Sequence, residues 1–295
     1  MSLTHRPYQS AADLPFLLDW LGRHAHSAYM HPGDLVWWLR QNEVVDPARA
    51  LDLYFSGAGD LAGFVFSDPP TWAVLQGRDD LAPDDWQQMI EVAENKAGEP
   101  VTFNAYTGEM TGARVQALRR AGYVPASTDR LARLYRVPGP ADPAAAPLPA
   151  GFRFTDMGRA DVSEADRVDL HRAVWHPSRV TVDAYRTLRA APNYLPELDV
   201  VIVGPAGEPA AYALGWFDEV SRAGLLEPVG TLAEFRRRGL GRQLVREMTR
   251  RLAGLGAEGV TIGTRESNGA AMGLYQSAGY HVTGYWVDYR RTSLT

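Results

Sequence analysis

The sequence contains no cysteine among its 295 residues. This absence excludes disulfide bonds, thiolate metal ligands and thiol nucleophiles from the chemistry of the chain. The sequence also lacks an apolar run near the roughly 18 residues that a membrane-spanning helix needs. Its first ten residues have no apolar stretch behind basic residues, as a secretory signal would have. We therefore expect a soluble, cytoplasmic protein with no membrane partner.

An excess of positive charge is missing as well. The formal net charge is -5 at pH 7, so no general basic field attracts nucleic acid, and any basic site must be local. Hydrophobic residues make up 45% of the chain and charged residues 22%, which is the composition of an ordinary globular protein. We expect no nucleic-acid partner and no metal cofactor.

The length and one proline-rich segment predict two domains. A chain of 295 residues matches two domains of typical size, and a single large domain is the alternative. Residues 138–150 are rich in proline and alanine, and proline interrupts both helices and central strands. The predicted organisation is a first domain at 1–137, a linker at 138–150 and a second domain at 151–295.

Hydrophobic periodicity in the second half alternates between that of strands and that of helices. The predicted strands are 151–155, 199–203, 209–217, 225–231, 259–263 and 280–290, and the predicted helices are 162–174, 240–252 and 268–278. The first half repeats the end of this pattern with a strand at 101–105 and a helix at 111–121. An Ala-Gly-Tyr triplet follows the helix in both halves, at Ala121–Tyr123 and Ala278–Tyr280. The matching order indicates a duplicated unit.

The segment between Glu227 and Arg246 carries the most chemical information. A predicted strand ends near Thr231, a loop of arginines and glycines follows, and an amphipathic helix then begins. The first turn of a helix presents unpaired N–H groups and the positive end of the helix dipole. Glycines at this place let an anion lie against the backbone. The segment therefore predicts a binding site for a pyrophosphate.

Two motifs in this half resemble those of the GNAT (GCN5-related N-acetyltransferase) superfamily. The first is Arg236-x-x-Gly239-x-Gly241 after a strand, which is similar to the family's acyl-CoA signature. The second lies downstream, from Asn268 through Tyr275 to Tyr280. The resemblance implies an α/β fold of two GNAT-like domains in tandem, each with a mixed, mostly antiparallel sheet flanked by helices.

The resemblance also implies roles for individual residues. The main-chain amides of the loop and first helical turn would hold the CoA pyrophosphate; these residues are Arg237, Arg238, Gly239, Gly241 and Arg242, with Arg236, Leu240, Asn268 and Ala271 also in the cofactor site. The backbones of Val229 and Thr231 would contact the pantetheine arm, and Pro228 suits a bulge that opens the sheet. Tyr275 matches the family's general acid, and the Val229 N–H would stabilise the oxyanion.

A general base completes such a site, because the attacking amine arrives as an ammonium. Strand alternation places Glu227 on the same face as Val229 and Thr231, which makes Glu227 the leading candidate. Asp218 and Glu219 are rivals. Aromatic residues near the expected acceptor side are Trp175, Tyr194, Trp216, Phe217 and Trp286, of which we expect one or two to line the pocket.

The first half departs from the family pattern where chemistry would require it. Leu118 stands where the second half has Tyr275, and the segment before its equivalent helix carries Asp79, Asp80, Asp84 and Asp85 but no glycine pair. These carboxylates would repel a pyrophosphate. We interpret residues 1–137 as a degenerate, non-catalytic GNAT-like domain, so that the layout resembles that of tandem GNAT proteins such as mycothiol synthase.

The expected function is transfer of an acetyl group, or another acyl group, from CoA to a primary amine of a small molecule. The alternative is a catalytically silent acyl-CoA sensor, and a weaker one is nucleic-acid binding through the arginines. A dinucleotide fold is disfavoured because Leu244 occupies the place of its third glycine. The oligomeric state stays open, although two fused domains can mimic a dimer within a monomer.

Overall fold

The computed structural model describes residues 3–25, 30–68, 71–107, 112–126, 128–139, 147–159 and 161–291. In the N-terminal half, up to residue 137, the strands are β1 (Thr4–Pro7), β2 (Leu51–Phe55), β3 (Leu61–Asp68), β4 (Trp72–Gly77), β5 (Thr102–Tyr106), β6 (Tyr123–Pro125) and β7 (Leu131–Arg136). The helices of this half are α1 (Asp13–Arg23), α2 (Pro32–Arg40), α3 (Pro47–Ala50), α4 (Pro83–Ala97) and α5 (Gly112–Arg120).

The C-terminal half, from residue 151, repeats most of this order of elements. Its strands are β8 (Arg153–Asp156), β9 (Asp199–Val203), β10 (Pro209–Asp218), β11 (Ala223–Thr231), β12 (Gly259–Arg265) and β13 (His281–Arg291). Its helices are α6 (Glu164–Val174), α7 (Val182–Arg189), α8 (Leu240–Gly254) and α9 (Gly269–Ser277). The succession β4-α4-β5-α5-β6 thus corresponds to β11-α8-β12-α9-β13, which agrees with the predicted duplication.

All strands join one mixed sheet in the order β1-β2-β3-β4-β5-β13-β7-β12-β11-β10-β9-β8, with β6 paired to β13. Two neighbouring pairs are parallel, β4 with β5 and β11 with β12, and the others are antiparallel. The predicted α/β fold with two GNAT-like units in tandem is confirmed.

The centre of the sheet contains a strand exchange that the sequence did not predict. Strand β7 of the N-terminal half lies between β12 and β13, where Leu134 faces both Ile262 and Val282. The later part of β13 pairs instead with β5, with Val287 opposite Ala105. Each half therefore completes the sheet of the other. The boundaries at 137 and 151 stay a prediction, and residues 140–146 of the predicted linker lie outside the described residues.

The predicted helices and strands of the C-terminal half are present with shifts of a few residues at their ends. The two Ala-Gly-Tyr triplets have a common backbone cause, because Gly122 and Gly279 have φ of 82° and 91° after α5 and α9. Glycine adopts this left-handed conformation at little cost and so ends a helix. The predicted first residue of α5, Thr111, lies outside the described residues.

One apolar cluster joins the two halves. It contains Leu35 and Trp37 of α2 together with Tyr185 and Leu188 of α7 and Trp216 of β10. This packing holds α2 of the N-terminal half over the sheet of the C-terminal half. Within the described part of the chain, no helix is long and apolar enough to cross a membrane.

Candidate active site

The parallel strands β11 and β12 separate midway along their length. They pair only from Ala223 opposite Gly259 to Leu226 opposite Ile262. On its other side β11 has a bulge, because Ala213 faces Val229 whereas Gly215 already faces Leu226. The extra residue of the bulge falls beside Pro228, which has no N–H to donate to a neighbouring strand. The sheet opens here into a V, as the resemblance implied.

A cavity of about 910 Å³ occupies this opening. Glu227 and Val229 of β11 and Tyr275 of α9 line it from the C-terminal half. The N-terminal half contributes further lining residues: His31, Asp34, Trp37 and Trp38 from α2 and its start, and Arg133 from β7. The site is therefore shared between the halves, and α2 of the N-terminal half covers it.

The loop before α8 leaves its main-chain donors available. Amide N–H groups of residues 237–242 donate no hydrogen bond to any described residue. Arg237 and Gly239 both have left-handed backbones, with φ of 63° and 80°, and Gly239 is the N-cap of α8. Alternation of this kind turns successive N–H groups toward one concave anion site. Left-handed φ is costly for arginine, so Arg237 marks a strained turn.

Other residues of this loop and of the first turn of α8 have structural roles. The Arg236 side chain donates to the main-chain oxygen of Thr231 at 3.1 Å, which fastens the loop to the end of β11. A Cβ added at Gly241 would lie 2.6 Å from the Leu274 side chain, so this glycine permits close packing of α8 on α9. Leu240 is buried, and only its amide can serve a ligand.

Helix α9 brings Tyr275 to the cavity. The Tyr275 side chain is 7% exposed, and its hydroxyl is hydrogen-bonded to no described residue. Burial and the nearby Glu227 carboxyl raise its pKa above the ordinary tyrosine value, so the hydroxyl keeps its proton at neutral pH. Asn268 accepts a hydrogen bond from the Ala271 amide at 3.1 Å and caps α9. Both Asn268 and Ala271 line the cavity.

The Glu227 carboxyl meets a second carboxyl, that of Asp34. The two carboxyl groups lie close enough to interact directly, and the Trp38 side chain is also within reach of Glu227. Burial, followed by the charge of Asp34, raises the pKa of Glu227 well above the ordinary value. Burial also raises the pKa of Asp34. The Trp216 indole fixes the strand beneath them by donating to the main-chain oxygen of Glu227 at 2.9 Å.

The rival carboxylate Asp218 lies outside the cavity lining. Asp218 accepts a hydrogen bond from the Ser221 amide at 2.8 Å in the turn between β10 and β11. Glu219 is exposed in the same turn and also lies outside the lining. Of the aromatic candidates, Trp175 and Trp286 line the cavity.

The histidine that lines the cavity from α6 is held in a neutral state. The Nδ1 atom of His171 lies 2.6 Å from the Tyr212 hydroxyl. Burial and the charge of Arg167 lower the pKa of His171 to about 3. The ring therefore carries no charge near neutral pH. The described residues contain no group of three or more histidine, aspartate or glutamate side chains that could hold a metal ion.

Sequence reasoning missed the residues that α2 supplies. A signal for them existed, because Asp34, Trp37 and Trp38 are spaced three and four residues apart and so share one face of a helix. The sequence did not indicate which face of the N-terminal half covers the cavity.

Comparison with known proteins found a family match for part of the chain and a fold match for nearly all of it. Residues 166–280 match the acetyltransferase (GNAT) family. No curated protein sequence matches the chain. Solved structures match along almost its whole length, at identities that show the fold alone. They include a GCN5-related N-acetyltransferase from Sphaerobacter thermophilus, with 17% identity, coverage of 98% of this chain and 95% of that one, and a TM-score of 0.66.

Two further solved structures also match this chain along almost its whole length. A tandem GNAT protein from the clavulanic acid biosynthesis pathway is 16% identical, with 98% of each chain covered and a TM-score of 0.68. A GNAT-family acetyltransferase from Colwellia psychrerythraea is 13% identical, with 98% of this chain and 100% of that one covered and a TM-score of 0.63. Residues 166–280 thus match the GNAT family, and the fold of the whole chain is that of tandem GNAT proteins.

Proposed function

We propose that this protein is an acetyl-CoA-dependent N-acetyltransferase that acetylates a primary amine of a small molecule by direct attack on the thioester. The observation that carries this proposal is the row of unoccupied amides at residues 237–242. The row opens α8 beside a cavity that contains the Glu227 carboxyl and the Tyr275 hydroxyl. Donor binding and proton transfer can thus occur within one opening of the sheet.

The cofactor site has two parts. The amides of residues 237–242 would hold the pyrophosphate, with positive charge from Arg236, Arg237 and Arg238 around them. The pantetheine arm would lie along β11, because the edge of this strand beyond Leu226 is not paired to β12. Main-chain groups of Val229 and the N–H of Thr231 offer hydrogen bonds that an amide-containing arm requires, while the Thr231 oxygen already accepts one from Arg236. Asn268 and Ala271 close the far side.

The chemistry requires three groups around the acetyl carbonyl. Glu227 accepts the proton that the acceptor ammonium must lose before its nitrogen can attack. The N–H of Val229 stabilises the negative charge that develops on the thioester oxygen. Tyr275, kept protonated by its raised pKa, donates a proton to the departing thiolate and regains one from the acetylated nitrogen.

The test is release of free CoA from acetyl-CoA across a panel of primary amines, with Tyr275→Phe as the inactive reference. We expect release that requires both an amine and the Tyr275 hydroxyl. Parallel assays with propionyl-CoA and longer acyl-CoA donors determine the preferred acyl group. Tight CoA binding by calorimetry without turnover of any amine would contradict the proposal.

That same outcome would support the alternative, a catalytically silent acyl-CoA sensor. A sensor has no need of an open acceptor side, whereas the described cavity has room for a substrate beside Glu227 and Tyr275. The geometry therefore favours the enzyme.

A further inference from the structure

The cavity contains a carboxyl from each half of the chain, and only one of them belongs to the GNAT-family region. We propose, on the basis of the proposed function, that Asp34 and Glu227 act as one unit that binds and deprotonates the acceptor ammonium. Glu227 is the catalytic member in this unit. Asp34 is a positioning residue that shares its proton, and the N-terminal half thereby supplies part of the active site.

The first turn of α2 holds Asp34 in place. The Asp34 carboxylate accepts a hydrogen bond from the His31 amide at 2.8 Å, while His31 Nδ1 accepts one from the Gly33 amide at 2.9 Å. A Cβ added at Gly33 would lie 2.2 Å from the Trp216 side chain. Glycine therefore lets the helix start rest directly on the indole that also holds the Glu227 main chain. The two carboxyl groups are thus fixed through Trp216.

The groups that face this pair define its charge. His31 is neutral, because its Nε2 lies 3.2 Å from the Ala223 oxygen and donates to it while Nδ1 accepts, and burial lowers its pKa. Arg133 of β7 is the nearby cation that acts on Asp34 and His31. Tyr275 of α9 faces Glu227 as a neutral phenol. Two adjacent buried carboxyl groups in such surroundings keep one proton between them.

The pair holds its shared proton more tightly than an isolated carboxyl group does. The pair without that proton is therefore a stronger base than an isolated carboxylate. When the shared proton is absent, the two carboxylates attract one cationic amine, and the ammonium proton then moves into the position between them. The nitrogen is now a free nucleophile. Its lone pair forms the bond to the acetyl carbon, the carbon–sulfur bond breaks, and its second proton replaces the one that Tyr275 gives to sulfur. The pair later releases its proton to solvent.

The decisive variant is Asp34→Asn. Its side-chain oxygen can still accept the His31 amide, and its amide can donate to Glu227, so the helix start is conserved while the second charge is lost. The measurement is the pH profile of kcat and kcat/KM with acetyl-CoA and the best amine of the panel. We expect the acid limb of kcat/KM to move to lower pH by about one unit or more. At neutral pH, kcat should fall about tenfold because the base is weaker, with an unchanged dissociation constant for CoA.

The matched control is Asp46→Asn. Asp46 caps α3 by accepting the Ala48 amide at 3.0 Å and lies outside the cavity lining. This variant should leave the pH profile unchanged. A profile for Asp34→Asn that superimposes on that of the wild type, or an equal shift in Asp46→Asn, would overturn the proposal.

A second experiment needs no substrate. The fold raises the pKa of Glu227 above its ordinary value of 4.5, so the folded state binds this proton more tightly than the unfolded chain does. Stability should therefore be complete below that value and fall as the pH rises toward the folded pKa. We expect Glu227→Gln to remove most of this loss in melting curves from pH 5 to 9, Asp34→Asn to reduce it, and the double variant to remove no more than Glu227→Gln.

Additive effects of the two substitutions would show independent carboxyl groups and overturn the shared proton. Coupled effects without turnover of any amine would instead overturn the catalytic assignment together with the proposed function. The two failures are therefore distinguishable.

Discussion

The starts of α8 and α4 occupy equivalent places in the two halves, and they are built in opposite ways. At α8, Gly239 adopts a left-handed backbone and the amides that follow are free among the described residues. At α4, Pro83 removes one donor and the Asp85 carboxylate accepts the Ala82 amide at 3.1 Å. The start of α8 can attract an anion, whereas the start of α4 already has the Asp85 carboxylate.

The spaces beneath these helices differ in the same sense. A Cβ added at Gly77, at the end of β4, would lie 2.6 Å from Leu81 and 2.7 Å from Trp86. Leu118, at the place of Tyr275, is fully buried in the same apolar cluster. In the N-terminal half, side chains thus fill the space that stays open as a cavity in the C-terminal half. A duplicated fold can lose a ligand site by filling it, without changing the order of its elements.

The largest expected effect tests whether Tyr275 is more than a packed tyrosine. Tyr275→Phe should lower kcat about 10²- to 10⁴-fold, because it removes the proton donor to the thiolate, and should leave CoA binding unchanged. Steady-state kinetics and calorimetry measure both. The control is Tyr280→Phe, which removes a buried hydroxyl that lies 2.8 Å from Thr249 Oγ1. A similar loss of kcat in both variants would contradict a specific role for Tyr275.

A second contrast concerns the second strand of each half. Asp199 of β9 forms a buried ion pair with Arg167 at 2.7 Å and also accepts the Tyr185 hydroxyl. Asp52 of β2 pairs with the partly exposed Lys96 at 2.6 Å. Asp199→Asn should lower the free energy of unfolding by about 3–5 kcal/mol, because Arg167 would stay buried without its counter-charge.

Asp52→Asn should cost about 1 kcal/mol or less, since solvent reaches its partner. Urea unfolding of both variants measures the difference. Equal losses would show that solvent stabilises Arg167 as effectively as it stabilises Lys96.

The contrast between the starts of α8 and α4 is tested by placing a carboxylate at the start of α8. Gly239→Asp should weaken CoA binding about a hundredfold by calorimetry, because the new charge faces the phosphates. Gly98→Asp is the matched control, since Gly98 also has a positive φ, 66°, with no described atom within 4 Å of an added Cβ. Equal affinities of the two variants would place the pyrophosphate elsewhere.

The smallest effect concerns the filled space itself. Gly77→Ala should destabilise the protein by about 1–3 kcal/mol, because the methyl group would displace Leu81 and Trp86. Gly254→Ala, at the end of α8 with open space around it, should instead be neutral or stabilise the protein by up to about 1 kcal/mol. Thermal unfolding compares the two. A neutral Gly77→Ala would mean that the space is less tightly filled than the distances indicate.

Most helices and strands of the C-terminal half could be predicted from the sequence, because local patterns determine local structure. Alternation along 199–203 and helical spacing after Leu240 predicted β9 and α8, and the position of the glycines predicted an open helix start. The resemblance implied a general base, strand alternation selected Glu227 for it, and Glu227 does line the cavity. Its catalytic role and that of Tyr275 stay predictions.

The rest depended on contacts between residues far apart in the chain. Asp34 and Glu227 are separated by almost two hundred positions, and their pairing follows from how α2 packs on Trp216. The exchange of β7 and β13 is likewise a matter of which edges meet, and each strand has the same alternating pattern wherever it pairs. Periodicity reports which face of a strand is buried, and it contains no information about the neighbour.

The exchange of β7 and β13 also governs how the protein is made. Strand β5 finds its neighbour in β13 only after the chain has been synthesised through residue 291, so the first half leaves the ribosome with an unprotected edge. Completion of either sheet then waits for a contact of very long sequence separation, which slows folding. The yield of folded protein should consequently increase with slow translation or added chaperones. Neither half expressed by itself should be a stable, soluble product.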